Sequence, residues 1–310
     1  MSQNANNDAG DFQRTSCEAC GGSRLDPFMQ LVDVTEYHYE MVHCRDCGLV
    51  QIGWVLERGE HEAIAYEGLW WKPGMKPLHP RISPHPIYVR VVRRLRGHGV
   101  RGGRLLDVGC ASGGLIWLAK EHGFQVCGVD VAAAAVEYVR SELGLPAFLS
   151  IDEAARDQGP FDCITCVETL YYMRSPLAEL RRMHDALKPG GLLLVKAIAN
   201  RTWVFRLARW WVRRSGQELV VRHGDALHPH TGCGFYVFST LNVRRLIERA
   251  GFRIVGVHNT LPGFTLTWRW PGPLTFLVRT VMRSVSAGIA ALTFGRRKTG
   301  SCISIVAIRD

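Results

Sequence analysis

Two groups of residues in this sequence have types and spacings that can do chemistry. The first is a pair of cysteine knuckles, CEACG with Cys17 and Cys20 and CRDCG with Cys44 and Cys47, which together make C-x2-C-x23-C-x2-C. Thiolates two residues apart face one ion. Gly21 or Gly48 then lets the backbone turn tightly with its amides free to donate to sulfur. Four thiolates close a tetrahedron and leave no position open to water, so the metal expected here is a structural Zn2+. The second group is DVGCASGG, Asp107 to Gly114, with Asp130 closing the following VCGVD.

A glycine-rich turn of this kind holds a ligand that tolerates no side chain nearby. A phosphate-binding P-loop would end in Gly-Lys-Ser/Thr, which is missing. A dinucleotide turn is closer, because Gly109 and Gly113 open a helix and Asp130 follows about 20 residues on. Asp107 argues against it: a carboxylate beside a pyrophosphate sets like charges together in a partly buried site. S-adenosylmethionine reverses the sign. It carries a sulfonium and an ammonium and no phosphate, and the helix-start amides can receive its carboxylate.

These residues need a scaffold. From Gly102 onward strand-like and helix-like runs alternate: RLLDV, LIWLAKEHG closed by Gly123, FQVCGVD, AAAAVEYVRSELG ended by Gly144, AFLS, FDCITCV, PLAELRRMHDAL and GLLLVKAIA. TLNVRRLIERAG, FRIVGVH and SCISIVAIR complete the series. The pattern predicts an α/β fold with a doubly wound sheet, whose ligands sit at the carboxyl ends of the strands. Cys163 and Cys166 point to opposite faces of one strand and read as core. Ahead of the sheet, residues 17–56 read as a small N-terminal zinc ribbon with paired strands in LVDVTEYHYEMVHC. Residues 1–16 read as a disordered tail. Residues 57–100 read as a connector or lid in which Tyr66, Trp70 and Trp71 either cover a ligand or pack between modules. The sheet domain is expected over 101–310, with insertions near 200–235 and 259–300.

LLDVGCASGG, VCGVDV, FDCITCVETLYYM and LKPGG, in that order, resemble class I S-adenosylmethionine-dependent methyltransferases. The resemblance covers about residues 100–258 and the final strand. It implies a Rossmann-like seven-stranded methyltransferase sheet whose last strand is antiparallel. It also implies that Asp107, Gly109, Cys110 and Gly113 line the methionine part, that Asp130 and Val131 meet the ribose, that Asp152 lies near adenine or caps a solvated helix, and that Glu168 touches cofactor or acceptor. Ala111 stands where many members have glycine, and its small methyl is expected to cost nothing in binding. The ribbon in front and FYVFSTLNVRRLIERAGFRIV behind resemble bacterial enzymes that methylate oxygen or carbon in small-molecule, sugar or glycan, and lipid-linked acceptors.

The sulfonium already makes its methyl electrophilic, so the protein must chiefly position the acceptor and exclude water. Many relatives place Glu-His after the fourth strand; this chain has Tyr171 and Tyr172 there, with Glu168 three residues earlier. Glu168, Tyr171 and Tyr172 are therefore acceptor-side candidates. His228 and His230, with His223 in the same loop, are candidate bases or solvated loop residues. His184 reads as structural.

The formal charge of +10 favours an anionic partner, either a small or carrier-linked acceptor, a phospholipid surface or nucleic acid. Basic amphipathic stretches in TWVFRLARWWVRR and from about Pro271 to Arg297 suit peripheral membrane contact, or else form a lid over the acceptor. No apolar run reaches the roughly 18 residues of a membrane span, and no secretion signal is visible, so a cytoplasmic protein is expected. An RNA or DNA methyltransferase gripping nucleic acid through the ribbon is the alternative. Dispersed basic residues and the lack of an Asn/Asp-Pro-Pro-Tyr motif after the fourth strand argue against it.

Overall fold

In the computed structural model, the described residues are 12–32, 38–55, 85–198, 220–222, 235–260 and 302–310, with 210, 214, 215 and 284. The strands with near-continuous apolar runs build the main sheet, as strands covered on both faces do. These are β6 (Gly103–Val108), β7 (Phe124–Val129), β8 (Ala147–Phe148), β9 (Phe161–Val167), β10 (Leu187–Ile198), β13 (Phe252–Thr260) and β14 (Cys302–Arg309). Their order is β13-β14-β10-β9-β6-β7-β8. β8, β7, β6, β9 and β10 are parallel, and β14 runs antiparallel between β10 and β13. The expected seven-stranded sheet with an antiparallel last strand is thus present. Cys163 and Cys166 fall into two different buried clusters, on opposite faces of β9.

Among the described residues, helices flank this sheet in chain order. α1 (Pro86–Gly97) precedes β6, and α2 (Gly114–Glu121) and α3 (Ala133–Leu143) follow β6 and β7. α4 (Ile151–Gln158) is capped by the Ser150 hydroxyl and was not read from the sequence; α5 (Pro176–Ala186) and α6 (Thr240–Arg249) complete the set. Gly144 ends α3 in the left-handed conformation, its amide bonded to the Val139 carbonyl, as a glycine C-cap does.

The ribbon strands are β2 (Leu25–Val32), β3 (His38–Cys44) and β4 (Val50–Ile52). They belong to a five-stranded sheet ordered β11-β2-β3-β4-β12, whose edges come from far along the chain: β11 (Val220–Arg222) and β12 (Tyr236–Val237). Part of the stretch expected as an insertion near 200–235 thus completes the ribbon. β1 (Phe12–Gln13) pairs with β5 (Trp54–Val55), which corrects the expected disordered tail over 1–16: ordered pairing begins at Phe12. The cysteine knuckles share one buried cluster with the sheet domain, in which Cys17, Ala19 and Leu49 join Leu180, Met183, Phe238 and Val243. Among the described residues, no helix is long and apolar enough to cross a membrane.

Candidate active site and metal centre

The winding reverses between β6 and β9, where a doubly wound sheet opens a crevice at its carboxyl edge. Asp107 stands there near the end of β6, only 3% exposed, accepting a 2.7 Å hydrogen bond from the Thr165 hydroxyl on β9. Burial pushes its carboxyl up to about 8; Thr165 opposes that shift and the charge of Asp130 adds to it. Asp130, just past β7, is also buried, and burial raises its pKa against the hydrogen bonds it accepts. Those bonds are 3.0 Å from the Ala132 amide and 2.8 Å from the Ala111 amide, so Asp130 holds the glycine turn to the end of β7. The turn is held again by the Val129 carbonyl, which accepts from the amides of Gly109 and Cys110.

The structure places the turn residues in distinct ways. A Cβ on Gly109 would stand 2.2 Å from Thr169 Oγ1, so this glycine lets the chain after β9 close on the turn. At Gly113, with φ of +75°, the missing Cβ would meet Leu143 Cδ1 at 2.7 Å; its lack of a side chain serves the packing of α2 on α3. The Cys110 thiol is buried against Gly128, so only its backbone borders the crevice. Ala111 has φ of +46°, and a non-glycine residue there carries backbone strain of about 1–2 kcal/mol.

Beyond Asp130, two aliphatic side chains stay uncovered, Val131 at 54% and Leu149 at 47% exposure. They flank the ends of β7 and β8, where the Asp130 amide bonds to the Phe148 carbonyl. Apolar walls beside an acid that can take ribose hydroxyls suit a nucleoside. Asp152 lies in the first turn of α4 with an exposed side chain, 3.6 Å from Arg182. On the other side Tyr88 of α1 closes over the helix start, since a Cβ on Gly114 would come within 2.7 Å of its ring. Burial, then the charges of Asp107 and Cys110, raise its phenol pKa. The crevice therefore fits S-adenosylmethionine at both ends, with acids for the cationic and ribose groups and aliphatics for the base.

At the ends of β9 and β10 lies a second cluster. Glu168 has φ of +59°, a conformation that costs a non-glycine residue about 1–3 kcal/mol and gathers at functional sites. Its amide donates to the Lys196 carbonyl at 2.8 Å, and its carboxylate pairs through Oε1 with the Lys196 ammonium and through Oε2, at 3.2 Å, with the Tyr171 hydroxyl. Lys196 is 5% exposed. Tyr171 and Tyr172 occupy a single 3-10 turn, Leu170–Tyr172, with their rings 4.5 Å apart. Lys196, Tyr88 and Leu149 were missed in the sequence; a lone lysine inside GLLLVKAIA was the available signal for the first. His184 packs edge-on against Phe252, away from this cluster. His223, His228, His230, Tyr66, Trp70, Trp71 and the basic stretch 271–297, apart from Ser284, lie outside the described residues.

The four knuckle thiols converge. All Sγ atoms of Cys17, Cys20, Cys44 and Cys47 lie within 4.8 Å of one another, with Cys17–Cys47 at 3.5 Å and Cys20–Cys44 at 3.6 Å. A regular tetrahedron with metal–sulfur bonds of about 2.3 Å has edges of about 3.8 Å, so the set fits zinc. The two knuckles repeat one turn: Gly21 N bonds to Cys17 O, and Gly48 N to Cys44 O. The Gly22 amide donates to Cys20 Sγ at 3.4 Å.

A family model described as a methyltransferase domain matches residues 85–257. The ubiquinone biosynthesis O-methyltransferase of Xylella fastidiosa strain 9a5c is 33% identical over 168 residues, 51% of this chain and 64% of that protein. Its counterpart from Idiomarina loihiensis is 34% identical over 147 residues, 44% of this chain and 58% of that protein. The chain thus matches less than two thirds of the length of these curated relatives. Solved structures with a similar fold include a Thermotoga maritima S-adenosylmethionine-dependent methyltransferase, described as a possible histamine N-methyltransferase. It is 16% identical, with a TM-score of 0.45, over 72% of this chain and 89% of that one. Another is the magnesium protoporphyrin IX methyltransferase of Synechocystis with bound S-adenosylhomocysteine, 13% identical, TM-score 0.43, over 79% and 93%.

Proposed function

This chain belongs to the methyltransferase domain family, and from that premise we propose that it moves a methyl group from S-adenosylmethionine to an oxygen of a small-molecule acceptor. The observation that carries the reading is the buried Asp107 and Asp130 on either side of a glycine turn at the sheet's switch point. S-adenosylmethionine supplies an electrophilic methyl when bound. Asp107 lies where it can face the positive charge of the methionine part and Asp130 where it can take the ribose hydroxyls, with Val131 and Leu149 beside the base. Gly109, Gly113 and Cys110 present backbone only, and Asp152 stands at the outer rim.

On the acceptor side Glu168 takes the proton that an acceptor hydroxyl must lose. The Lys196 ammonium pairs with one Glu168 oxygen and the Tyr171 hydroxyl bonds the other; a base so positioned contributes roughly 10²–10⁴-fold. Tyr172 lines the same wall beside Tyr171, and His228 and His230 are further candidates for the base. The acceptor is read as anionic or carrier-linked on the net charge of +10, and an aromatic quinone precursor is its best model, because the curated relatives are named for ubiquinone biosynthesis. The knuckle cysteines hold a structural zinc in this reading, and contact with a membrane surface belongs to the basic stretches.

The test is methyl transfer from labelled S-adenosylmethionine to a panel holding a catechol acid, a phosphate-linked glycan, a quinone precursor in lipid vesicles, and RNA. Label is expected in a small acceptor, with the catechol acid or quinone precursor preferred. Label in RNA alone, or none in any acceptor while cofactor binds, would overturn the reading.

A further inference from the structure

We propose that the first cysteine knuckle is a working part of the acceptor side, with Arg14 and Glu18 as positioning residues for segment 170–177. Glu18 lies inside the knuckle, between Cys17 and Cys20. Its carboxylate nevertheless faces the sheet domain: Oε1 accepts from Arg14 at 2.6 Å and from the Ser175 hydroxyl at 3.2 Å, and Oε2 accepts from the Leu177 amide at 3.3 Å. Leu177 sits in the first turn of α5, where helix amides lack partners of their own and a carboxylate is stabilising. Arg14 reaches past Glu18 to the Arg174 carbonyl and to the hydroxyl of Tyr236, which itself donates to that carbonyl at 2.8 Å. The two charged side chains are only 7% and 12% exposed. Surface ion pairs contribute little, whereas a buried pair that also bonds a helix-start amide and a hydroxyl holds its partners in place.

The knuckle is braced from behind. Gln51 of β4, with no exposed surface, accepts from the Glu18 amide and donates to the Ser16 carbonyl. From the next residue a hydrogen-bonded path leads straight to the acceptor cluster. The Ile52 amide donates to the Phe235 carbonyl, the Phe235 amide donates to the Tyr171 carbonyl, and the Tyr171 hydroxyl donates to Glu168. Asn242 ties the second knuckle to α6 through the Cys47 carbonyl at 3.1 Å. None of these bonds touches Asp107, Asp130 or the glycine turn. The ribbon therefore grips the acceptor side of the crevice, through segment 170–177 and Phe235. That segment 170–177 faces the acceptor rests on the function proposed above; that the knuckle holds it does not.

Hydrogen–deuterium exchange on the full zinc-loaded chain separates the two. Glu18→Gln and Ser175→Ala act on the same contact from opposite sides. Each should quicken exchange of amides 170–177, the first by roughly tenfold or more, the factor carried by a lost charge-assisted hydrogen bond. Residues 103–113, zinc content and S-adenosylhomocysteine affinity should be unchanged. With the acceptor found by labelling, Glu18→Gln should raise the KM for acceptor and leave the KM for cofactor alone, and Glu18→Asp should restore part of the loss. Unchanged exchange at 170–177 in both variants, or a rise spread equally over 103–113, would overturn the proposal whether or not methyl transfer is detected.

Discussion

Replacing Asp107 with asparagine is expected to stabilise the cofactor-free protein while destroying its cofactor site. The carboxyl is 3% exposed and is pushed by burial from an ordinary 3.8 up to about 8. A pKa raised on folding means that this group's contribution to stability is intact below the unfolded value and is lost as pH climbs towards the folded one. At pH 7 the loss spans about three pH units, on the order of 4 kcal/mol at 1.36 kcal/mol per unit. Asparagine can still accept from Thr165 and carries no such penalty. Differential scanning fluorimetry should therefore show a midpoint higher by about 10 °C at pH 7, since 1 kcal/mol is roughly 2–4 °C for domains of 150–250 residues. Between pH 5 and 8 the parent's midpoint should fall, and the variant's should fall less. Binding should move the other way. Cations favour the ionised carboxylate, so calorimetry should show proton release below pH 8. The affinity should rise by up to about tenfold per pH unit towards pH 8 and level above it. The Asp107→Asn variant should lose about a hundredfold or more in affinity, and all of this pH slope. A variant less stable than the parent at pH 7, or one that keeps the parent's affinity and slope, would refute the reasoning.

Lys196→Met strands Glu168 without its cation, and should cost about 1–3 kcal/mol in chemical denaturation and at least about tenfold in kcat, with cofactor affinity retained and partial recovery in Lys196→Arg. Ala111→Gly relieves a left-handed alanine at φ of +46° and should raise stability by up to about 1 kcal/mol, read from the denaturation midpoint. Metal analysis should find one zinc per chain. Stripping it with a strong chelator should expose four further thiols to a colorimetric reagent and lower the melting midpoint, since structural zinc contributes folding energy directly.

The main sheet was legible because its strands are buried on both faces and read as apolar runs between glycine-ended helices, as Gly123 and Gly144 showed. The positions of Asp107 and Asp130 near the ends of two neighbouring strands were legible too, from the runs RLLDV and FQVCGVD. Pairings made across the chain were not. Val220–Arg222 and Tyr236–Val237 are too short to carry a period, and they become strands only because ribbon edges receive them. Gly113 also serves the packing of α2 on α3, where a Cβ would meet Leu143, a contact no local pattern reports. Glu168 was legible as an acid at the end of a strand, but its partner Lys196 was not, since only the fold sets β9 beside β10. Nothing in the knuckle sequence marks Glu18, whose partner Leu177 lies 159 residues along the chain.

The crevice at the ends of β6 and β7 is proposed as the S-adenosylmethionine site. Titration calorimetry of S-adenosylmethionine into the full chain and into Asp130→Ala tests it most directly. One site per parent chain is expected, and in the folded variant an affinity at least about tenfold weaker, from the lost ribose hydrogen bonds and the loosened Ala111 turn. No binding to the parent chain, or equal binding to both, would contradict it.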